Sequence, residues 1–166
     1  MGFGLAAKAA AGNRLSLIAF GLSQVLIDIE PGVRMLLGKG DLHGWSHTIL
    51  GAVAIAALAT WCSRWLVLPL AGRWNAEARH YGLSWLCVHL SCTWPVAALG
   101  AFLGTFSHLV LDGLIHADMR PFAPFSQANP LMGLVAHDTL YAAMVVMGPV
   151  GAVLWLVRQR MGAEAK

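Results

Sequence analysis

The sequence predicts an all-α protein, a polytopic membrane helix bundle with about four transmembrane helices in a single integral domain, residues 1–166. Hydrophobic residues make up 58% of the chain and charged residues only 11%, whereas charged residues are about a quarter of soluble domains. The mean hydropathy is +0.65. The basic residues are scattered without a run or stripe, so we expect no nucleic-acid partner.

The first predicted helix covers about residues 15–29 and ends at Pro31. Basic residues precede it, as in a signal peptide. However, Asp28 and Glu30 follow its apolar run, and no small-x-small cleavage site precedes them. We therefore expect an uncleaved helix.

The other predicted spans cover about residues 45–70, 95–116 and 138–157, each close to the length of about 20 residues that crosses a bilayer. The apolar segment 81–94 is too short for a normal span. It is predicted to be interfacial, re-entrant, or an interrupted extension of the helix that follows.

Four spans would place both termini on one side of the membrane. Eight of the 11 Lys and Arg residues would then share that side, which the positive-inside rule makes cytoplasmic. We expect an integral protein of a bacterial-type inner membrane, N-in and C-in. Most acidic and histidine side chains would lie at the outer end, namely Asp28, Glu30, Asp41, Asp112, Asp118, Asp138, His43, His47, His108, His116 and His137.

The third predicted span carries His108, Asp112 and His116 within GTFSHLVLDGLIHADMRPFAPF. On a helix these three positions spread over only about 80°. A charge in the hydrocarbon costs several kcal/mol, so the stripe should face the bundle interior and find a partner. It can bind a metal, or a carboxylate can orient a ligand imidazole. A structural hydrogen-bonded pair is the alternative.

The second histidine motif is DLHGWSHTILGA, in which His43 and His47 are four residues apart at the start of the second span. His47, one turn into the helix, is the better ligand candidate. His43 is a candidate ligand, substrate contact or general base. Alone, this spacing is also typical of two interfacial histidines.

The acidic motif is SQVLIDIEP, at the end of the first predicted helix. Asp28 and Glu30 lie about 200° apart on a continuous helix, so they converge only if the helix unwinds at Pro31. Asp28 is the deeper residue and the predicted metal ligand, and Glu30 is a candidate base or second ligand. Solvated acids at a helix end are the alternative.

The loop MRPFAPFSQANP is rigid and irregular because of its prolines, and it should cover the site. Arg120 is its only cation. We predict that Arg120 binds an anionic head group or phosphate. A snorkelling interfacial arginine is the alternative.

Taken in order, Asp28-x-Glu30, HGWSHT and SHLVLD resemble the membrane-bound metal-dependent hydrolase family (YdjM-like), over residues 16–131. The SHxxLD element, residues 107–112, is the most specific part. This resemblance implies a divalent metal and hydrolysis, with phospholipid-like substrates suggested by a distant similarity of the family to zinc phospholipases.

The expected function is therefore a metal-dependent hydrolase with its site at the outer membrane face, acting on a lipid or phosphate-containing substrate. Nitrogen and oxygen ligands without thiolate suit Zn, Mn or Fe. The expected proton acceptors are Glu30 and His43, and the expected substrate contact is Arg120. The expected metal ligands are Asp28, His47, His108 and Asp112, with His116 completing or orienting the set.

Three other functions are compatible with the sequence, and the oligomeric state stays open. A proton- or cation-coupled transporter would need polar groups through the full bilayer depth. A noncatalytic assembly protein would use small-residue faces such as GAFLG, residues 100–104. A haem protein would have two histidine ligands and visible absorbance.

Overall fold

A computed structural model of the protein describes residues 2–88 and 92–164, and this part of the chain contains helices and turns without strands. The all-α prediction is confirmed. Single 3₁₀ turns cover Gly12–Arg14, Trp45–His47 and Ser84–Leu86. The α-helices are α1 (Gly2–Ala11), α2 (Leu17–Ile27), α3 (Ile29–Leu36), α4 (Ile49–His80), α5 (Trp94–Ile115) and α6 (His137–Glu164).

Three helices of the described chain are long and apolar enough to cross a membrane: α4, α5 and the part of α6 from His137 to Gly162. The first predicted span differs, because the helix is interrupted at Asp28 and divided into α2 and α3. With 11 residues, α2 is about 17 Å long, well short of a hydrocarbon core of about 30 Å. The predicted count of four spans is therefore approximate.

Helices α2, α4 and α5 form the central bundle through small residues. Fully buried alanines of all three helices make up its core, among them Ala19, Ala59 and Ala101. A Cβ at Gly100 would collide with the backbone of Ser16, which shows how closely α5 approaches α2. The segment GAFLG therefore packs inside this chain, by the small-residue contact that lets membrane helices approach.

Helix α1 is an element that the sequence did not predict. It packs along the far half of α6, where a Cβ at Gly151 would collide with the backbone of Leu5 and Ala6. It also forms a hairpin with α2, in which the Phe3 and Phe20 ring centroids are 6.5 Å apart. The small residues of α1 permit both contacts. Their hydropathy is similar to that of many other apolar segments, so it did not identify this helix.

The segment after α4 folds back along the end of that helix. The Asn75 side chain donates to the Val88 carbonyl and accepts from the Val88 N–H, both at 2.8 Å. The segment is a 3₁₀ turn and irregular chain, and residues 89–91 lie outside the described part. It therefore does not form a helical extension of α5 in the part that is described.

The end of α2, the start of α4, the end of α5 and the start of α6 lie at one end of the molecule. The loops there are tied together, since the Ile49 N–H donates to the Pro121 carbonyl at 2.8 Å. Thr48 caps α4 by accepting from the Gly51 N–H at 3.0 Å. This end carries most of the histidine and aspartate side chains.

Candidate metal centre

Four of the predicted ligands lie together at this end: Asp28, His47, His108 and Asp112. Each offers one nitrogen or oxygen atom, and these atoms all lie within 4.8 Å of one another. We call these four residues the primary cluster. They come from three separate segments of the chain, so tertiary packing brings them together.

His108 and Asp112 supply the part of the primary cluster that lies on α5. His108 Nε2 is 3.0 Å from Asp112 Oδ2, one helical turn away. The same nitrogen is 3.1 Å from Asp28 Oδ1. Two residues of the predicted polar stripe thus face Asp28 at the end of α2, whereas the third, His116, lies just past the end of α5.

Asp28 reaches the cluster because the helix breaks at this residue. It ends α2, and α3 starts at the next position. The helix is thus interrupted three residues before Pro31, the position at which unwinding would have let Asp28 and Glu30 converge. Pro31 itself lies in the first turn of α3, where its missing N–H leaves no hydrogen bond unmade.

His47 lies in the 3₁₀ turn before α4, rather than one turn into the helix as predicted, because Thr48 is the capping residue. Its side chain is fully buried. His47 Nδ1 is 2.9 Å from the Ser46 hydroxyl oxygen, which fixes the orientation of the ring.

The other ring nitrogen of His47 faces the primary cluster. Nε2 lies 3.3 Å from Asp112 Oδ2 and 3.9 Å from Asp28 Oδ1. Among the described residues, His47 Nε2 is the one buried side-chain polar atom without a hydrogen-bond partner of acceptable geometry. An unpaired buried polar atom costs free energy, and a cation bound by the cluster would satisfy it.

His43, His116 and Asp118 form a second group of side chains whose ligand atoms lie within 4.8 Å of one another. We call them the secondary cluster. The predicted ligand His116 belongs to this cluster rather than to the primary one. Its ring centroid is 4.5 Å from that of His43.

Asp118 holds His43 and the preceding residue, Leu42, through three hydrogen bonds. Asp118 Oδ2 accepts from the backbone N–H groups of Leu42 and His43 at 2.8 and 3.0 Å. Asp118 Oδ1 is 2.9 Å from His43 Nδ1. Burial raises the pKa of Asp118, but the hydrogen bonds from His43 and Leu42 outweigh burial and lower it to about 2.

His43 therefore faces the primary cluster with its second ring nitrogen. Its Nε2 is 3.7 Å from Asp112 Oδ2, and its ring centroid is 4.7 Å from that of His47. When Nδ1 donates to a carboxylate, Nε2 is the nitrogen that can accept a proton or a ligand.

Glu30 lies outside both clusters. Its Oε1 pairs with Arg34 Nη2 at 2.7 Å, and its Oε2 accepts from the Ser46 N–H at 2.6 Å. Burial raises the pKa of Glu30, but the Ser46 and Arg34 hydrogen bonds lower it overall. Glu30 thus supports the backbone beside His47, and its predicted role as a base stays a prediction.

Arg120 lines a cavity of about 490 Å³ among the loops, together with Arg34, His43 and Asp118. We call it the loop cavity. The Arg120 guanidinium donates to Gln127 Oε1 at 3.2 Å and is otherwise exposed. Asp41 also lines the cavity, so its two arginines are balanced by two carboxylates, and Arg120 is the cation placed to contact an anionic ligand.

The sequence prediction did not include Asp118 among the site residues. The available signal was weak, since HADMRP places an acid two residues after His116 in an irregular loop. Its main partner, His43, is distant along the chain. No local periodicity connects the two residues.

A family model described as YdjM inner membrane protein matches residues 6–165 of this chain. The match extends beyond the motif region, to α1 at one end and α6 at the other. No curated protein and no solved structure shows significant similarity to the chain.

Proposed function

Because the chain belongs to the YdjM inner membrane protein family, we propose that this integral inner membrane protein is a divalent-metal-dependent hydrolase. Its substrate would be a lipid or a phosphate-containing molecule at the outer membrane face. The observation that carries the proposal is the convergence of two imidazole nitrogens and two carboxylate oxygens within 4.8 Å.

The residues of the primary cluster would hold the metal. Two nitrogen and two oxygen donors without thiolate suit Zn, Mn or Fe. The buried Nε2 of His47, which lies 3.3 Å from Asp112 Oδ2 without a hydrogen bond of acceptable geometry, supports the same assignment. A cation bound there would lower the pKa of a water molecule and neutralise charge on a phosphoryl or acyl oxygen.

His43 is the proposed proton acceptor. Asp118 holds its Nδ1–H, so Nε2 is free to accept the proton that water loses during attack. The oxygen of water would bond to phosphorus or to the carbonyl carbon, and the ester bond would break. The same imidazole would then return its proton to the leaving alcohol oxygen.

Arg120 is the proposed contact for the charged part of the substrate. Arg34 lines the same cavity but already pairs with Glu30. Among the described residues the Arg120 guanidinium bonds to the neutral side chain of Gln127, and charge-assisted bonds to a phosphate are stronger than such a contact.

The charge distribution supports an outward-facing site. Lys8 and Arg158 lie at the end opposite the clusters, where Arg158 Nη1 donates to the Ala9 carbonyl at 2.6 Å. Arg64 lies at the level where α5 begins, over the Trp94 ring at 4.4 Å. A basic end opposite the clusters is typical of the cytoplasmic side.

The proposal is tested with the full chain in phospholipid nanodiscs containing Zn, Mn or Fe. We expect release of phosphate, phosphoalcohol or fatty acid that EDTA abolishes and metal restores. We also expect His43→Ala to abolish release while the protein keeps its metal. His80→Ala, on the exposed far end of α4, is the control. A protein that takes up none of these metals at pH 7 would overturn the proposal.

A further inference from the structure

A second cavity reaches the primary cluster from the side of the membrane helices. It measures about 210 Å³ and lies between α5 and the start of α6. We call it the helix cleft. Its walls combine two residues of the primary cluster, two other polar residues and four apolar side chains, namely His108, Asp112, Gln24, Tyr141, Leu111, Ile115, Leu140 and Met144.

The helix cleft exists because α6 packs against other elements through its C-terminal half, which is far from the clusters. There it packs on α1 and on the turn Ser84–Leu86. Only 6% of the most apolar 18-residue stretch of α6 is buried within the protein. Its near half therefore stands beside α5 with space between them, and both helices are of membrane-spanning length and composition. An apolar space at this position opens to lipid chains.

The loop cavity approaches the primary cluster through His43. Arg34, Arg120 and His43 line it, and His43 Nε2 is 3.7 Å from Asp112 Oδ2. Asp112 in turn lines the helix cleft. The helix cleft and the loop cavity that contains Arg120 therefore both lie next to the primary cluster, one through Asp112 and the other through His43. A ligand that occupies both must have a hydrocarbon part and an anionic part.

We propose that the substrate is a membrane lipid with a phosphate in its head group, an inference that rests on the proposed hydrolase function. One hydrocarbon chain lies in the helix cleft, and the phosphate lies in the loop cavity near Arg120. The ester bonds between them then lie beside the primary cluster. Lipids could enter sideways from the bilayer, between α5 and α6.

The two cavities would contribute differently to recognition. A chain that moves from the bilayer into an apolar cleft gains little free energy, because its surroundings are apolar in both places. The phosphate exchanges water for charge-assisted hydrogen bonds. The helix cleft should therefore set the position of the lipid, and Arg120 should set its affinity.

The volumes of the two cavities are compatible with part of a hydrocarbon chain in the helix cleft and a phosphate head group in the loop cavity. Small-molecule pockets measure about 300–1,000 Å³, so the cleft of about 210 Å³ holds part of one chain, and the rest stays in the bilayer. The loop cavity of about 490 Å³ is large enough for a phosphate head group.

The test uses the full chain in phosphatidylcholine nanodiscs that contain phosphatidic acid with a photoreactive diazirine on one acyl chain. After illumination, mass spectrometry locates the crosslinks. We expect them on the residues of the helix cleft, 111–115 and 140–144, and we expect unlabelled phosphatidic acid to compete. Glycerol 3-phosphate, which has the phosphate without the chains, should compete much more weakly.

Two pairs of variants separate the parts of the proposal. Met144→Trp fills the cleft and should reduce crosslinking to α5 severalfold. Val145→Trp adds the same ring on the 69% exposed neighbouring position and should not. Arg120→Gln should weaken competition by phosphatidic acid about tenfold, the effect of losing one charge-assisted contact. Lys39→Gln removes an exposed charge near the same end and should have no effect.

The outcomes distinguish this inference from the proposed function, because crosslinking requires no turnover. Crosslinks spread evenly over the exposed faces of α4 and α6, or equal effects of the two tryptophan variants, would overturn the lipid site. Metal-dependent hydrolysis of glycerol 3-phosphate without specific crosslinks would do the same and leave the hydrolase intact. Specific crosslinks in a protein that takes up no metal would support the lipid site and overturn the hydrolase.

Discussion

The two histidine clusters have similar composition but differ in what their carboxylates contact. In the primary cluster the oxygens of Asp28 and Asp112 face imidazole nitrogens at 3.0–3.9 Å. In the secondary cluster Asp118 accepts two backbone N–H groups and one ring nitrogen. The first arrangement suits a cation, whereas the second holds an imidazole in place. Ligand spacing alone does not make this distinction.

The difference follows from where each acid lies in the chain. Asp112 is inside α5, where the helix uses the backbone N–H groups, so its side chain must find partners elsewhere. Asp118 lies in the loop after α5, opposite the loop 41–44, whose backbone donors need acceptors. The carboxylate of the secondary cluster therefore binds mainly backbone N–H groups, whereas the carboxylates of the primary cluster contact side chains.

The largest expected effect is loss of metal from the primary cluster. Changes in residues that only orient metal ligands cost about 10–100-fold in metal affinity, so His108→Ala or Asp112→Ala should cost more. Elemental analysis of protein purified without chelator would measure this loss. Ser107→Ala on the same helix is the control, because its hydroxyl donates to the Gly104 carbonyl of the same helix and, in the described chain, to no residue of the primary cluster. If both alanine variants retained the metal, the primary cluster would not be the metal site, and the proposed difference between the clusters would be wrong.

The second largest effect is expected when the secondary cluster is changed. Asp118→Asn removes the carboxylate that holds His43, and the proposed activity on a phosphate-containing lipid should fall about 10–100-fold. Metal content should stay unchanged. The exposed Asp138→Asn is the matched control, and lipid-hydrolysis rates with metal analysis supply the measurement. If Asp118→Asn lost its metal together with its activity, the secondary cluster would hold a cation as well.

A smaller effect concerns stability and pH. The folded-state pKa of Asp118 is about 2, below its ordinary value of 3.8. Its contribution to the free energy of unfolding is therefore fully present above about pH 4 and is lost as the pH falls through about 2. In EDTA-treated protein, Asp118→Asn should lower the melting temperature at pH 6 by a few degrees, since such bonds contribute about 1–3 kcal/mol.

The difference between this variant and the wild type should shrink below pH 4. Thermal unfolding followed by circular dichroism from pH 6 down to pH 2.5 would measure it. A constant difference over this range would mean that the ionised carboxylate is not what stabilises the loop.

The smallest effect is expected at Glu30. Its ion pair with Arg34 is partly exposed, and such pairs contribute about 0–1 kcal/mol. The amide of Glu30→Gln can still accept from the Ser46 N–H. Metal affinity and the rate of hydrolysis should therefore change less than tenfold, with Glu77→Gln on α4 as control. A loss of activity near that of His43→Ala would instead make Glu30 the base.

Much of the site could be predicted because its signals are local. His108 and Asp112 share a helix face by their four-residue spacing, and that face is polar in an otherwise apolar segment. The exact place where the first helix breaks could not be predicted in the same way. Pro31 is tolerated in a first helical turn, so the chain can break at Asp28 and begin α3 before the proline.

The sequence by itself determined the helical class, the three membrane-length helices and the shared face of His108 and Asp112, because hydropathy and helical periodicity depend only on neighbouring residues. Tertiary structure alone decided that His116 joins His43 rather than His108, and that Asp118 holds His43. It also decided that α1 packs along α6, so that a cleft remains beside α5. These features depend on contacts between residues distant in the chain, and packing, rather than local pattern, selects such contacts.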